Sequence, residues 1–215
     1  MLAHCRLIAT TLLALALSLV AQTQSKPPAN KPTTNPDAPL YQNLLIGFRY
    51  QIPYGWVDRT QQMRSEKTAG QDAHSDDASQ SRLLLAVFER PPDATGDTIN
   101  SAVVIASESA ASYPDLKKAE DYLGPLTELA IANGFKADGE PYAIEVESRQ
   151  LLRADFIKPL GSNDHENDEL TMHQCTLVLL AKGQIVSFTF IAGSDDELDD
   201  LMDGLHFTTV KPSPH

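Results

Sequence analysis

A two-residue link constrains this chain more than any other feature. Leu170–Ala181 and Gln184–Ala192 both repeat apolar residues with a period of two, and only Lys182-Gly183 separates them. That period lines one face of a strand and no face of a helix. A parallel pair needs a crossover of a dozen or more residues, so the short link requires an antiparallel hairpin. In its second arm Val186, Phe188, Phe190 and Ala192 share a face, and Ser187 and Thr189 share the other. Ser148–Ile157 leads into this hairpin with the same period. Gln150, Leu152, Ala154 and Phe156 take one face, and Arg149, Arg153 and Asp155 take the other.

The N-terminal half adds strands of two kinds. Leu44–Ile52 alternates, with Ile46, Phe48, Tyr50 and Ile52 on one face and Pro53 closing it. Leu83–Phe88 and Ser101–Ser107 are short continuous apolar runs, the mark of strands buried on both faces. Pro53-Tyr54-Gly55-Trp56 reads as a turn that delivers the single Trp of the chain to the margin of the core. Residues 64–82 are polar without a period and read as an insertion loop.

Helices are expected at two places. From Asp115 to Asn133, Leu116, Ala119, Leu123, Leu126 and Ala130 recur at three and four residues, and Gly134 suits the position after the last turn. Gly124-Pro125 in the middle predicts a kink, because Pro removes one backbone hydrogen bond. Ser194-Asp195-Asp196-Glu197 is a capping box, in which Ser194 accepts from the fourth amide and Glu197 reaches back to Ser194. Leu198, Leu201, Met202 and Leu205 then mark a short closing helix.

The ends of the chain lie outside this pattern. Arg6 and the apolar run Leu7–Val20 read as a secretory signal over residues 1–23, with cleavage after Ala21 or Thr23. The run is shorter than the roughly 20 residues a membrane span needs, so no stable span is expected after cleavage. Residues 24–39 form a Pro-rich linker, residues 40–210 the domain, and residues 211–215 a flexible tail. Export to the periplasm or the exterior follows from the signal.

Composition excludes several function classes. Hydrophobic residues are 42% of the chain, enough for a core. Lys and Arg number 17 against 29 Asp and Glu, a net charge of −12, which repels phosphate backbones and excludes a non-specific nucleic-acid binder. Cys5 leaves with the signal, so Cys175 is the only thiol of the mature chain and an internal disulfide is impossible. Its place at period two with Leu177 and Leu179 makes it a small buried hydrophobe. The sharper alternative is a Cys-His nucleophile with His173, two residues back on the same strand face.

Candidate chemistry is sparse. Asp164, His165, Glu166, Asp168 and Glu169 form the densest polar cluster, a candidate cation loop. It lacks the Gly and the ligand ladder of an EF-hand, so a solvated acidic loop is the expectation. His74 with Asp76 and Asp77 repeats that theme inside the polar insertion. Glu145 and Glu147 read as two acids on one strand face. No GxSxG, HExxH, P-loop or GxGxxG motif occurs, and no catalytic residue, cofactor or metal is assigned.

Tyr41-x-Asn43, Gly47-Phe48 and Pro53-x-Gly55-Trp56 together resemble the first strand of PsbP-like proteins. The order that follows is also similar: strands, a long central helix, a β-meander, and a closing helix that runs into Leu205-His206-Phe207. The resemblance covers about residues 40–210. It implies an α+β fold, an antiparallel sheet flanked by helices in an α-β-α sandwich, and it carries no catalytic residues. The family includes the lumenal PsbP subunit of photosystem II and secreted bacterial relatives. The expected function is a secreted or periplasmic, non-enzymatic module that binds a protein or cell-envelope partner, with Trp56, Ser187 and Thr189 as its candidate interaction surface. The alternative is a small-molecule or divalent-cation binder using a groove between helix and sheet, with or without weak hydrolytic activity.

Overall fold

The Lys182-Gly183 link is a tight turn. In the computed structural model, which describes residues 38–69, 81–94, 96–162 and 169–208, both link residues have positive φ, 52° and 73°. This is the backbone of the two-residue hairpin turn whose twist matches that of its strands. It joins β9 (Glu169–Ala181) to β10 (Gln184–Ala192) in antiparallel register, Gln184 opposite Ala181 and Phe190 opposite Cys175. Element numbers follow chain order, so these two strands lie near its end.

An eight-stranded sheet grows from both sides of this hairpin. On one side follow β5 (Ala102–Ser109), β4 (Arg82–Phe88) and the short β3 (Val57–Asp58). On the other lies the long β8 (Arg149–Ser162), whose outer edge carries β6 (Lys136–Ala137) and then β7 (Tyr142–Val146). Every pairing is antiparallel. A second sheet contains β1 (Leu40–Asn43), β2 (Phe48–Gln51) and β11 (Leu205–Phe207).

The period-two faces decide the layers. Val186, Phe188, Phe190 and Ala192 are all buried, and they join Phe48, Tyr50 and Phe207 of the small sheet in the main core. Helix α3 (Asp195–Met202) adds Leu198 and Leu201 to it. The opposite face of the large sheet contributes Leu152, Ala154, Phe156, Val178 and Ile185 to a second core under α2 (Leu123–Ala132). The antiparallel α+β fold expected from the sequence is therefore observed, with one outer layer shared between α3 and the small sheet.

Three local expectations need correction. The expected strand Leu44–Ile52 is a turn over residues 44–47 followed by β2, which pairs back onto β1. Asn43 Oδ1 accepts from the Ile46 amide and Gly47 takes φ +87°, so the chain turns before β2 while Ile46, Phe48, Tyr50 and Ile52 still face the core. The expected helix Asp115–Asn133 starts late: a 3₁₀ turn covers Ala119–Tyr122 and α2 begins at Leu123. Pro125 thus stands in the first helical turn, where a missing N–H costs nothing, and it opens the helix instead of kinking it. The end is as expected. Gly134 has φ +83°, and the Gly134 and Phe135 amides donate to Ile131 and Ala130 in a Schellman motif.

The third correction concerns the polar insertion. Thr60–Ala69 is a helix, α1, and part of it falls inside the expected loop. It shows no apolar stripe because hydrogen bonds to the edge of β4 hold it. The Arg59 amide donates to the Ala86 carbonyl, and the Ala86 amide donates to Thr60 Oγ1. Arg64 donates from Nε to Leu83 O and from Nη2 to Leu84 O. The secretory signal, linker residues 24–37, the 211–215 tail, and His74 with Asp76 and Asp77 lie outside the described residues. No helix among the described residues is long and apolar enough to cross a membrane.

Candidate functional site: an acidic groove beside an edge strand

The sequence-predicted residues do not converge. Asp164, His165, Glu166 and Asp168 lie outside the described residues, and Glu169 begins β9. Trp56 packs against the main core, whereas Ser187 and Thr189 alternate with its members and face the other side of the sheet. The three named as one interaction surface therefore sit on two faces. Thr189 is paired on its own face, with Oγ1 3.2 Å from Thr176 Oγ1.

The Cys175 and His173 pair takes separate partners. Cys175 is fully buried, and its Sγ lies 3.5 Å from Met202 Sδ. Burial pushes its thiol well up, which holds it in the protonated, unreactive form. His173 Nδ1 lies 2.9 Å from Asp195 Oδ1 at the start of α3. Both side chains therefore hold α3 onto the large sheet.

Other titratable groups are also absorbed by the fold. Glu108 accepts from the hydroxyls of Tyr113 and Tyr122, whose rings meet edge to face at 5.3 Å. Desolvation, reinforced by the Glu108 charge, raises the Tyr122 phenol and keeps it a donor. Glu197 departs from the expected capping box by one residue. Ser194 Oγ accepts from its amide, but Glu197 accepts from the Gly193 amide and from buried Ser101 Oγ, so it ties α3 to the start of β5.

A groove remains where the two layers meet at one side. It has a volume of about 530 Å³ and runs between β7 and the C-terminal end of α3. Ile144, Val146, Met202 and Leu205 supply its apolar surface. Asp199, Asp203 and Glu147 supply carboxylates, and His206 is also at its margin. Of these, Asp199 is reached at 3.4 Å by Arg153 of β8, which also donates to both Asp155 oxygens at 2.9 and 3.0 Å and lies over the Tyr142 ring.

Glu147 fixes the mouth of this groove. It is not on a strand face with Glu145. It occupies the β7–β8 turn at φ +54°, a left-handed conformation that non-Gly residues seldom adopt. From there its carboxylate accepts from the Phe207 amide at 2.8 Å and lies 3.0 Å from His206 Nδ1. The amide hydrogen bond, with help from His206, holds the Glu147 carboxyl below the ordinary carboxylate range. One side chain thus links the large sheet to the small one.

The sequence reading missed β7, although its signal was present. Tyr142, Ile144 and Val146 alternate, and Glu147-Ser148 is a two-residue link like Lys182-Gly183. The groove itself had no local signal, because its walls come from residues 144–147 and 199–206.

No protein-family model matches the chain, and no curated protein matches it. Solved structures similar to it include the cyanobacterial PsbP of Synechocystis sp. PCC 6803, at TM-score 0.47 and 13% identity, covering 85% of this chain and 100% of that one. The Ran-binding protein Mog1p of Saccharomyces cerevisiae is similar at TM-score 0.40 and 10% identity, covering 80% and 95%. LpqN, involved in cell envelope biogenesis of Mycobacterium tuberculosis, is similar at TM-score 0.34 and 13% identity, covering 78% and 79%. PsbP, whose motifs the sequence resembles, is thus among the structures this chain is similar to. Identities this low do not speak to activity.

Proposed function

We propose that the protein is an exported, non-enzymatic binding module that takes a protein partner in the groove between β7 and α3. The carrying observation is the groove's composition: an apolar surface open to solvent with carboxylates around it. A catalytic site needs a group tuned toward proton transfer or attack. Here Glu147, at the mouth of the groove, is held as a carboxylate by the Phe207 amide, and Cys175, which does not line the groove, is held as a thiol by burial. Export is the reading of the N-terminal segment, and the net charge of −12 argues against a nucleic-acid partner.

The test is capture from the envelope extract of the source cell. The chain recovers a partner, Met202→Lys loses it by blocking the groove, and Ser187→Lys on the other sheet face retains it. Capture that survives Met202→Lys, or a hydrolytic activity that depends on groove residues, overturns the proposal.

A further inference from the structure

We propose that β7 is a docking edge that accepts an extended, basic segment of the partner by strand addition. This rests on the groove assignment above and specifies what occupies it. Among the described residues, β8 is the only strand paired with β7. Val146 and Arg149 flank a two-residue turn, so they exchange both ladder hydrogen bonds. Bonding then alternates, and Ile144 and Tyr142 are the next bonded positions. The Asp138 amide, which donates to Asp155 O at 2.8 Å, confirms that the odd-numbered residues of β8 bond toward this side. The amides and carbonyls of Ala143 and Glu145 therefore point away from the sheet. An unpaired run of this kind is a template for another chain.

Charge selects the occupant. Toward the groove an added strand meets Ile144, Val146 and Met202, with Asp199 and Asp203 beyond them. Glu145, in register with Gln150 of β8, also lines the groove and adds a carboxylate along the edge itself. Helix α3 sharpens this field. Its last turn has no basic residue and its C-cap is Asp203, so acids stand at the negative end of the helix dipole. Lys and Arg fit such a wall, with aliphatic stems on the apolar surface and charges at the acids. Five residues, Tyr142–Val146, give a pairing length of about 17 Å.

The probe is an acetylated, amidated hexapeptide of alternating lysine and valine, with a glutamate–valine hexapeptide as control. We expect the purified chain to bind the first and not the second. Binding slows amide hydrogen exchange at Ala143 and Glu145 at least tenfold. Ala143→Pro removes one outward donor without touching the β8 ladder and weakens binding at least tenfold, while the melting midpoint stays in place. Glu145→Lys with Asp203→Lys weakens it by a similar factor. A backbone N-methylated peptide also fails to bind, which decides the matter on the wild-type chain should Ala143→Pro fold poorly. No binding at millimolar peptide, unchanged exchange at the two amides, or full affinity for the N-methylated peptide overturns strand addition. Partner capture that is lost in Met202→Lys but intact in Ala143→Pro leaves the groove standing and removes only the strand-addition mode.

Discussion

At its β4 edge the large sheet is closed by α1 and the residue before it, and at its β7 edge no strand or side chain among the described residues pairs with the outer backbone groups. Beyond β3, the Ala86 amide and carbonyl are taken by Thr60 Oγ1 and the Arg59 amide, and the Leu83 and Leu84 carbonyls by Arg64. A ten-residue helix thus does the work of a missing strand. At the other end, Ala143 and Glu145 point their backbone groups outward beside an acidic groove. Natural sheets cover their edges because an open one recruits other chains. One edge is closed with four hydrogen bonds, and the other, which has no partner among the described residues, is the edge to which the proposed strand addition is assigned.

Breaking the closed edge carries the largest expected effect. Thr60 is buried, so Thr60→Val leaves the Ala86 amide without its acceptor, at about 1–3 kcal/mol. Adding Arg64→Met removes the donors to two further carbonyls, and the double variant is expected to lose roughly 3 kcal/mol. For a domain of this size that lowers the melting midpoint by roughly 6–12 °C. The freed edge is also expected to promote self-association, visible in sedimentation. A midpoint within a degree of wild type would show that α1 does not close the edge.

The next prediction asks how far solvent reaches in from the open side. Arg153 and Asp155 lie on β8, behind β7, and Cys175 is opposite Asp155 on β9. Cys175→Ser is expected to cost about 1 kcal/mol, because the smaller oxygen gives up the packing of the sulfur against Met202 in a fully buried position. Native protein should resist a bulky thiol reagent until it unfolds. Rapid labelling would mean that the groove extends through the Arg153 cluster.

Much of this comparison was legible in the sequence, and its key part was not. Lys182-Gly183 was legible because turn chemistry is local. The Phe188 and Tyr50 faces were legible because a single buried face imposes period two. Helix α1 was hidden because its stability comes from Thr60 and Arg64 acting on distant backbone, not from an apolar stripe. Pro125 misled because its meaning depends on where the helix starts, and tertiary contacts set that start. Glu147 was misplaced because the Glu147-Ser148 link carries no Gly, Asn or Asp, so the alternation of Tyr142, Ile144 and Val146 reads on through the turn.

Glu147→Gln is a smaller lever on the open side. The carboxylate is held below its ordinary range, so its contribution is fully present above the unfolded value of about 4.3 and is lost as pH falls through the lower, folded value. The side chain is well exposed, so the effect at pH 7 is expected to be only roughly 0.5 kcal/mol. The difference between wild type and Glu147→Gln should shrink to nothing in melts carried well below that range. A difference that persists there would assign the loss to packing and not to the charge-assisted bond to the Phe207 amide.

The smallest expected effect is the most telling. Ala143→Pro places proline in the middle of a strand, where it ordinarily removes a ladder hydrogen bond. At Ala143 the amide points outward and no ladder bond is lost. Tyr142 before it is already extended, as a residue preceding proline must be. The expected change in stability is therefore below about 0.5 kcal/mol, within the range of ordinary surface substitutions. The matched change at the closed edge is Ala86→Pro, which removes the amide that Thr60 accepts from and sets a ring in a fully buried position. That variant should lose roughly 3 kcal/mol or more. If the two prolines cost the same, the amide of Ala143 has a partner in the native chain, and the β7 edge is closed like the other.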